Sequence, residues 1–588
     1  MKAYSKNPLK NLSLKHFFFI LFLSLVIINY IIGSLDEKKI SYLSGSFLSS
    51  LILIVLCASL VYTAWIKLAF YFGKQNNPSF GIAAIILMPG VLLLFINHEK
   101  TLLSSILPIA VVILTQLSFF VILNKGAAGK LTPNSDKIII LSLAVIYFCF
   151  FSFVQTQKFN NFDLFNPNDY AIYNQTLWNT SQGRIFINST YGSNFACHNS
   201  WFLFLLTPLY YLLPHPLTLS IIKILLLSLS CLPLYLIAKD ILGDIPVFPA
   251  VLIYLLNPFI VSQNLIPPHP ICFIPFFILF AYYFFRRNKF AAFISFLLIC
   301  LSIKESLSLI ALSLGLYSLA SRKAPKWSVT LITLGVIWGI FSTCMILHFQ
   351  KLYSSFTPGA WFLTILKTRY LSAGPNLIQS IISGLSWANI GNLYGLMRTP
   401  MLILPLGIIP ALLSPLSLLG LPELILNLLS DRPASLSPLM HYNIVGVSFL
   451  FIGALEGIKK ISSSKLLRKI AIDSYRLRLL LCVFTLCSTI LFYRTWADLA
   501  RYSKNTTYVK ITKEALSLIP RDAFVSIPQN IAVHVSNRET YSLITEDKLG
   551  DYVLADKKSY PYLDQKDLAT NYQILFNKKG VILFKRKD

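Results

Sequence analysis

The chain has 588 residues, of which 55% are hydrophobic and 13% charged, with a mean hydropathy of +0.65 and a formal charge of +27. A soluble chain of this length carries roughly twice that charged fraction, and uncharged apolar runs recur from His16 almost to Trp496, which excludes a soluble protein and implies a polytopic membrane protein. The positive charge does not indicate nucleic acid, because Lys and Arg are scattered through short loops, as positive-inside bias and anionic headgroups dictate, and no basic helix or aromatic RNA-binding motif accompanies them.

The runs are continuous rather than alternating, so helices and not a barrel are expected. The first follows Lys2, Lys6, Lys10 and Lys15 and has no small-residue cleavage site behind it. It reads as a retained span, not a signal peptide. Spans are expected at 16–33, 42–72, 80–97, 102–124 and 138–155. Lys74, and then Lys125, Lys130 and Lys137, place the N-terminus in the cytoplasm and residues 156–199 in a first large outer loop. The run 201–213 is half a span long and reads as a re-entrant or interfacial helix. That choice keeps "RRNK" (286–289), "SRKAPK" (321–326) and "KKISSSKLLRK" (459–469) on the cytoplasmic side.

Further spans at 217–238, 246–265, 270–286, 289–303, 306–320, 327–349, 399–415, 418–430, 442–459 and 478–495 bring the expected total to about fifteen. Residues 350–398 form a second external, amphipathic loop. After Ala497 the character changes: 11 of the 24 acids lie there, with alternating segments such as "AFVSIPQ", "DYVLAD" and "KKGVILFKR". These predict a small extracytoplasmic α/β domain. The expected organisation is an N-terminal block of four spans (1–137), a membrane core (138–496) and a soluble domain (497–588). The nine Cys show no C-x-x-C and read as buried small apolar residues.

Chemistry-bearing residues are few and fall near the outer edge. Asp169 lies in "NDYAIYNQTLWNTSQGR" (168–184), with Gln175 and Trp178 read as following it on one face of an interfacial helix. Trp178 would anchor at the headgroups. His198 ends the first outer loop, His269 sits in "PPHP", His441 in "MHY", and Lys304 with Glu305 in "IKES" between two short apolar runs. Ionisable groups at such depth cost a few kcal/mol and by default mark a functional site. Each also has a plainer reading: Asp169 as a helix cap or loop acid, His198 and His269 as headgroup-satisfied residues, Lys304–Glu305 as a structural ion pair, and His441 as a membrane-edge anchor. His215 in "LPHPL" reads as structural. Loop 350–398 carries Lys351, Lys367, Arg369 and Arg398 and no acid. It reads either as headgroup contact or as a phosphate site, for which Arg suits bidentate contact.

The stretches "NDYAIYNQTLWNTSQGR", "ACHNSWFLFLLTPLYYLLPHPLTL", "NLIPPHPICFIPFFIL", "LSIKESLSLIALSLGLYSLASRK", "NLLSDRPASLSPLMHYN" and "IPRDAFVSIPQNIAVHVSNRETYSLI…GDYVLAD" occur in the order in which a known family carries them. From about residue 140 onward the chain resembles the bacterial and archaeal polytopic proteins grouped as domain of unknown function 2079, themselves similar to GT-C membrane glycosyltransferases. Asn174 stands where that family usually has a second acid, Pro268 precedes His269 in place of Phe, and Ser306 follows Glu305 in place of Asp.

The resemblance implies an all-α, GT-C-like protein of a bacterial or archaeal cytoplasmic membrane. Its implied activity is inverting transfer of a sugar from a polyprenyl-phosphate carrier to an extracytoplasmic acceptor. Asp169 would act as base, with His198, His269, Lys304 and Glu305 around the leaving phosphate. Gln175, Trp178, Arg369, Arg398 and His441 would contact substrate. The implied partners are a lipid-linked sugar donor and membrane lipids. No metal ligands are assigned; a divalent cation is the one cofactor left open, and two acids fewer than the family pattern count against it. The rival readings are a transporter or lipid flippase, which should bury its ionisable groups near the midplane, and a non-catalytic envelope protein on a degenerate GT-C scaffold.

Overall fold

A computed structural model describes residues 133–243, 247–353, 411–428, 440–463, 506–545, 549–556 and 565–587, with residues 502, 559, 561 and 563. The four N-terminal spans, most of loop 350–398 with Arg369 and Arg398, and the span at 478–495 lie outside the described residues.

The membrane part contains α1 (Pro133–Asn160), α2 (Asn168–Ser181), α3 (Phe202–Leu212), α4 (Pro216–Leu229), α5 (Cys231–Leu242), α6 (Phe248–Leu255) and α7 (Pro258–Leu265). It continues with α8 (Ile274–Arg286), α9 (Phe290–Ile303), α10 (Leu307–Ala320), α11 (Pro325–Leu352), α12 (Leu421–Leu428) and α13 (Ile444–Ser463). Among the described residues, four helical stretches are long and apolar enough to cross a bilayer: Lys137–Asn160, Pro216–Leu242, Pro325–Leu352 and His441–Lys460. The expected count of about fifteen is therefore not confirmed.

Among the described residues, caps that hydropathy does not register divide or start some of the expected spans. The expected span 246–265 is two eight-residue helices, separated at Asn257. The Asn257 Oδ1 accepts the Phe259 N–H at 2.9 Å, an N-cap with proline at the first helical position. The same device recurs with histidine. The Nδ1 atoms of His215 and His269 accept the N–H of Leu217 (3.1 Å) and of Ile271 (3.3 Å), each across a following proline. The two His-Pro pairs are thus helix starts. Helices α9 and α10 have 14 residues each and rise about 21 Å, roughly 9 Å short of a hydrocarbon core. The turn that joins them carries Lys304 and Glu305.

The C-terminal domain is α/β as expected. Its sheet runs β4-β3-β5-β7-β6, made of β3 (Val525–Ile527), β4 (Tyr541–Leu543), β5 (Tyr552–Ala555), β6 (Tyr572–Lys578) and β7 (Val581–Arg586). Strand β3 is parallel to β4 and β5, and β7 is antiparallel to β5 and β6. Val553, Ala555, Leu568, Tyr572 and Phe584 fill one core cluster. The remaining strands, β1 (Ile187–Asn188) and β2 (Gly192–Ser193), form a small hairpin after α2.

Helix α2 is where this domain meets the membrane part. Asn174, fully buried, donates through Nδ2 to Ser536 Oγ and Asn537 Oδ1, both at 2.7 Å, and its Oδ1 accepts the Tyr210 hydroxyl at 2.8 Å. Gln175 donates to Ser189 Oγ (2.7 Å) and to the Arg538 and Glu539 carbonyls (3.1 and 2.9 Å), and accepts from Ser189 N–H (2.8 Å). An ionised carboxylate at position 174 could not donate to the domain as the amide does, which is a physical reason for Asn in place of an acid. Nearby, the His534 ring lies 4.0 Å from Phe159 and 4.2 Å from Phe162, and its Nε2 is buried without a hydrogen bond among the described residues. Burial, then the Lys513 charge, push His534 down to about 3.

Two outcomes follow. Asn174→Asp removes both donated hydrogen bonds and buries a carboxylate, so docking should weaken by about 3 kcal/mol, read as faster protease release of residues 506–587. Because His534 is neutral when docked and titrates near 6.5 when released, docking holds above pH 6.5. It should weaken as pH falls toward 3, by up to about tenfold per unit, and His534→Phe should remove that dependence.

Candidate functional site

Asp169 lies in the first turn of α2, half-buried. A helix advances 100° per residue, so Tyr173 shares its face, whereas Gln175 lies about 120° and Trp178 about 180° away. The single face expected for Asp169, Gln175 and Trp178 therefore does not form. Gln175 holds the C-terminal domain, and Trp178 lies 5.2 Å beneath the Arg184 guanidinium, which pairs with Glu539 at 3.8 Å.

Tyr173 leads from Asp169 into the centre. Its hydroxyl lies 3.0 Å from His269 Nε2. Because His269 Nδ1 already accepts the Ile271 N–H, the neutral ring carries its proton on Nε2 and donates it to Tyr173. Burial, then the neighbouring His441, His198 and Lys304, hold His269 well below the usual histidine range. In this tautomer the neutral His269 ring presents a positioned hydrogen-bond donor. Its ring stacks on His441 at 3.9 Å with an interplanar angle of 11°, and lies 5.9 Å from His198.

His198 is held by Glu305 from the α9–α10 turn. Nδ1 lies 3.0 Å from Glu305 Oε1, while Oε2 accepts the Asn199 N–H at 3.2 Å. The pair keeps about a fifth of its side-chain surface exposed (23% and 21%). Burial works against a charged His198, but Cys197 and Glu305 outweigh it and push the imidazole up to about 10. Burial likewise opposes the Glu305 carboxylate, yet the charge and hydrogen bond of His198, with Lys304, pull it down to about 2. Asn199 Nδ2 on Ser342 Oγ (2.6 Å) and Gln350 Nε2 on the Ala196 carbonyl (2.8 Å) tie this loop to α11.

Lys304 completes the cluster. It is half-buried, with Nζ 5.9 Å from the Tyr442 ring, and makes no hydrogen bond or ion pair among the described residues. His198, His269, Lys304, Glu305 and His441 are therefore brought together from four separate segments, and Asp169 reaches them through Tyr173. Tyr173, Asn199 and Tyr442 were not singled out in the sequence; the i+4 spacing from Asp169 is the signal that marks Tyr173. Glu305, the carboxylate in contact with the histidines, is already paired, and among the described residues no group of three His, Cys, Asp or Glu side chains is placed to hold a metal.

A family profile described as a predicted membrane protein (DUF2079) matches residues 161–583. The chain belongs to that family. The match takes in every residue of the cluster and leaves out the N-terminal block. No curated protein matches the chain. Two similar solved structures are ArnT from Cupriavidus metallidurans bound to undecaprenyl phosphate, and the archaeal oligosaccharyltransferase AglB from Archaeoglobus fulgidus in complex with an inhibitory peptide and a dolichol-phosphate. The first is 12% identical with a TM-score of 0.43, over 77% of this chain and 98% of that one. The second is 12% identical with a TM-score of 0.39, over 77% and 74%. Similarity this low leaves function to the geometry of the site.

The ion pair sets a pH window. Its His198 contribution is complete below pH 6.5 and fades toward 10; its Glu305 contribution is complete above 4.5 and fades toward 2. Glu305→Gln should lower the His198 titration, followed by NMR of the imidazole, from about 10 toward the ordinary histidine value, the Cys197 contribution remaining.

Proposed function

We propose that this member of the family transfers a sugar from a polyprenyl-phosphate carrier to an acceptor hydroxyl outside the cytoplasm, with inversion at the anomeric carbon. The observation that carries the reading is the Lys304 ammonium, which makes no direct hydrogen bond or salt bridge among the described residues, in a cluster with a cationic His198 and with His269, which Asp169 reaches by one helical turn and the Tyr173 hydrogen bond. A half-buried ammonium with no direct hydrogen-bonded partner is costly, and a phosphate oxygen would supply one.

In this scheme the acceptor oxygen attacks the anomeric carbon from the side opposite the phosphate, and its proton passes to the Asp169 carboxylate. The bond between the anomeric carbon and the phosphate oxygen breaks, and the electron pair leaves with the polyprenyl phosphate. The phosphate needs positive charge and hydrogen-bond donors in place, not a proton. Lys304 and His198 supply the charge, with Glu305 keeping His198 protonated and oriented. His269 and His441, stacked, form a rigid wall, and the His269–Tyr173 hydrogen bond fixes the face of α2 that carries Asp169. Arg369 and Arg398 are proposed as further phosphate contacts.

Reconstituted protein supplied with polyprenyl-phosphate hexose and an envelope extract as acceptor tests this. Asp169→Asn should lower transfer by about a hundredfold or more with folded protein retained. Lys304→Met should lower it by roughly a hundredfold and weaken binding of polyprenyl phosphate. Undiminished transfer by Asp169→Asn would remove Asp169 as the base, and lipid or solute movement without a glycosyl product would favour transport instead.

A further inference from the structure

The histidine cluster leaves unexplained the C-terminal stretches "SIPQN" and "DYVLAD". Both open onto a separate cavity of about 990 Å³ between the C-terminal domain and the segment that precedes α2. That volume lies at the upper end of the range for small-molecule sites. Its lining has a definite chemistry. Phe162 and Tyr508 present aromatic rings, 6.4 Å apart and nearly perpendicular. Asn166, Gln529 and Asn530 present amides, and Asp556 a carboxylate.

Several of these groups are held in advance. Asn530 Nδ2 donates to the Tyr508 hydroxyl (3.2 Å), which donates to Asp556 Oδ2 (3.0 Å), while Asp556 Oδ1 accepts from Ser559 N–H (2.9 Å) and Oγ (2.8 Å). Gln529 Nε2 reaches Asn166 Oδ1 at 2.7 Å, from the domain to the segment before α2. In charge, the cavity carries the carboxylates Asp163 and Asp556 against the ammonium of Lys579, which disfavours an anion. Amides that both donate and accept, a fixed carboxylate and flat apolar rings together suit a ligand with many hydroxyls and apolar C–H faces.

We infer that this cavity binds a neutral saccharide, the acceptor of the proposed transfer. Its place agrees with that role. Pro167 lines the cavity, and two residues further on comes Asp169, within about 8 Å along the backbone. The role as acceptor rests on the proposed transfer; the saccharide binding does not.

Full-length protein in lipid nanodiscs, screened against an array of neutral, acidic and amine-bearing oligosaccharides, tests the site while polyprenyl-phosphate binding is measured in parallel. Neutral saccharides should be retained. The half-exposed or exposed substitutions Asn530→Ala and Gln529→Ala should each lower their affinity by about tenfold and leave polyprenyl-phosphate binding unchanged. No saccharide binding by the unaltered protein, a preference for acidic or amine-bearing saccharides, or affinity unchanged in both variants would overturn the inference. Saccharide binding without polyprenyl-phosphate binding would support this cavity and sink the donor reading alone.

Discussion

A carboxylate set in the turn between two short apolar helices must be met by a cation, and the cation that meets Glu305 comes from 107 residues earlier in the chain. That contact joins the loop after α2 to the α9–α10 turn. The rest of the site leans on it: His198 is charged because Cys197 and Glu305 outweigh its burial, and burial, then His441, His198 and Lys304, hold His269 neutral.

The second constraint is the two-sidedness of α2. Ten of its fourteen residues are buried, with polar side chains among them, so each buried amide needs a partner. One face turns Asp169 and Tyr173 toward the histidines. Another gives Asn174 and Gln175 to the C-terminal domain, which therefore bears directly on the helix that positions the candidate base. Domain docking and site geometry are mechanically linked through a helix of about four turns.

Several parts of this arrangement were legible in the sequence. Charged residues in apolar surroundings are rare enough that His198, His269, Lys304, Glu305 and His441 could be picked out singly, and the change in composition after Ala497 marked the α/β domain. Other parts were not legible. Hydropathy counts apolar runs but does not register the Asn257 and histidine caps that divide or start helices. The roles of Asn174 and Gln175 depend on partners more than 350 residues away, and no local pattern encodes them. Tyr173 looks like any interfacial aromatic until His269 is seen beside it.

By itself the sequence determined the apolar, helical character of the chain, the domain change near its end and the inventory of ionisable residues, because these follow from composition and local periodicity. Tertiary structure alone decided which of those residues meet, which histidine is charged, and that Lys304 makes no direct hydrogen bond or salt bridge among the described residues. The reason is physical: protonation and pairing are set by distances between groups from separate helices, and those distances exist only once the helices pack.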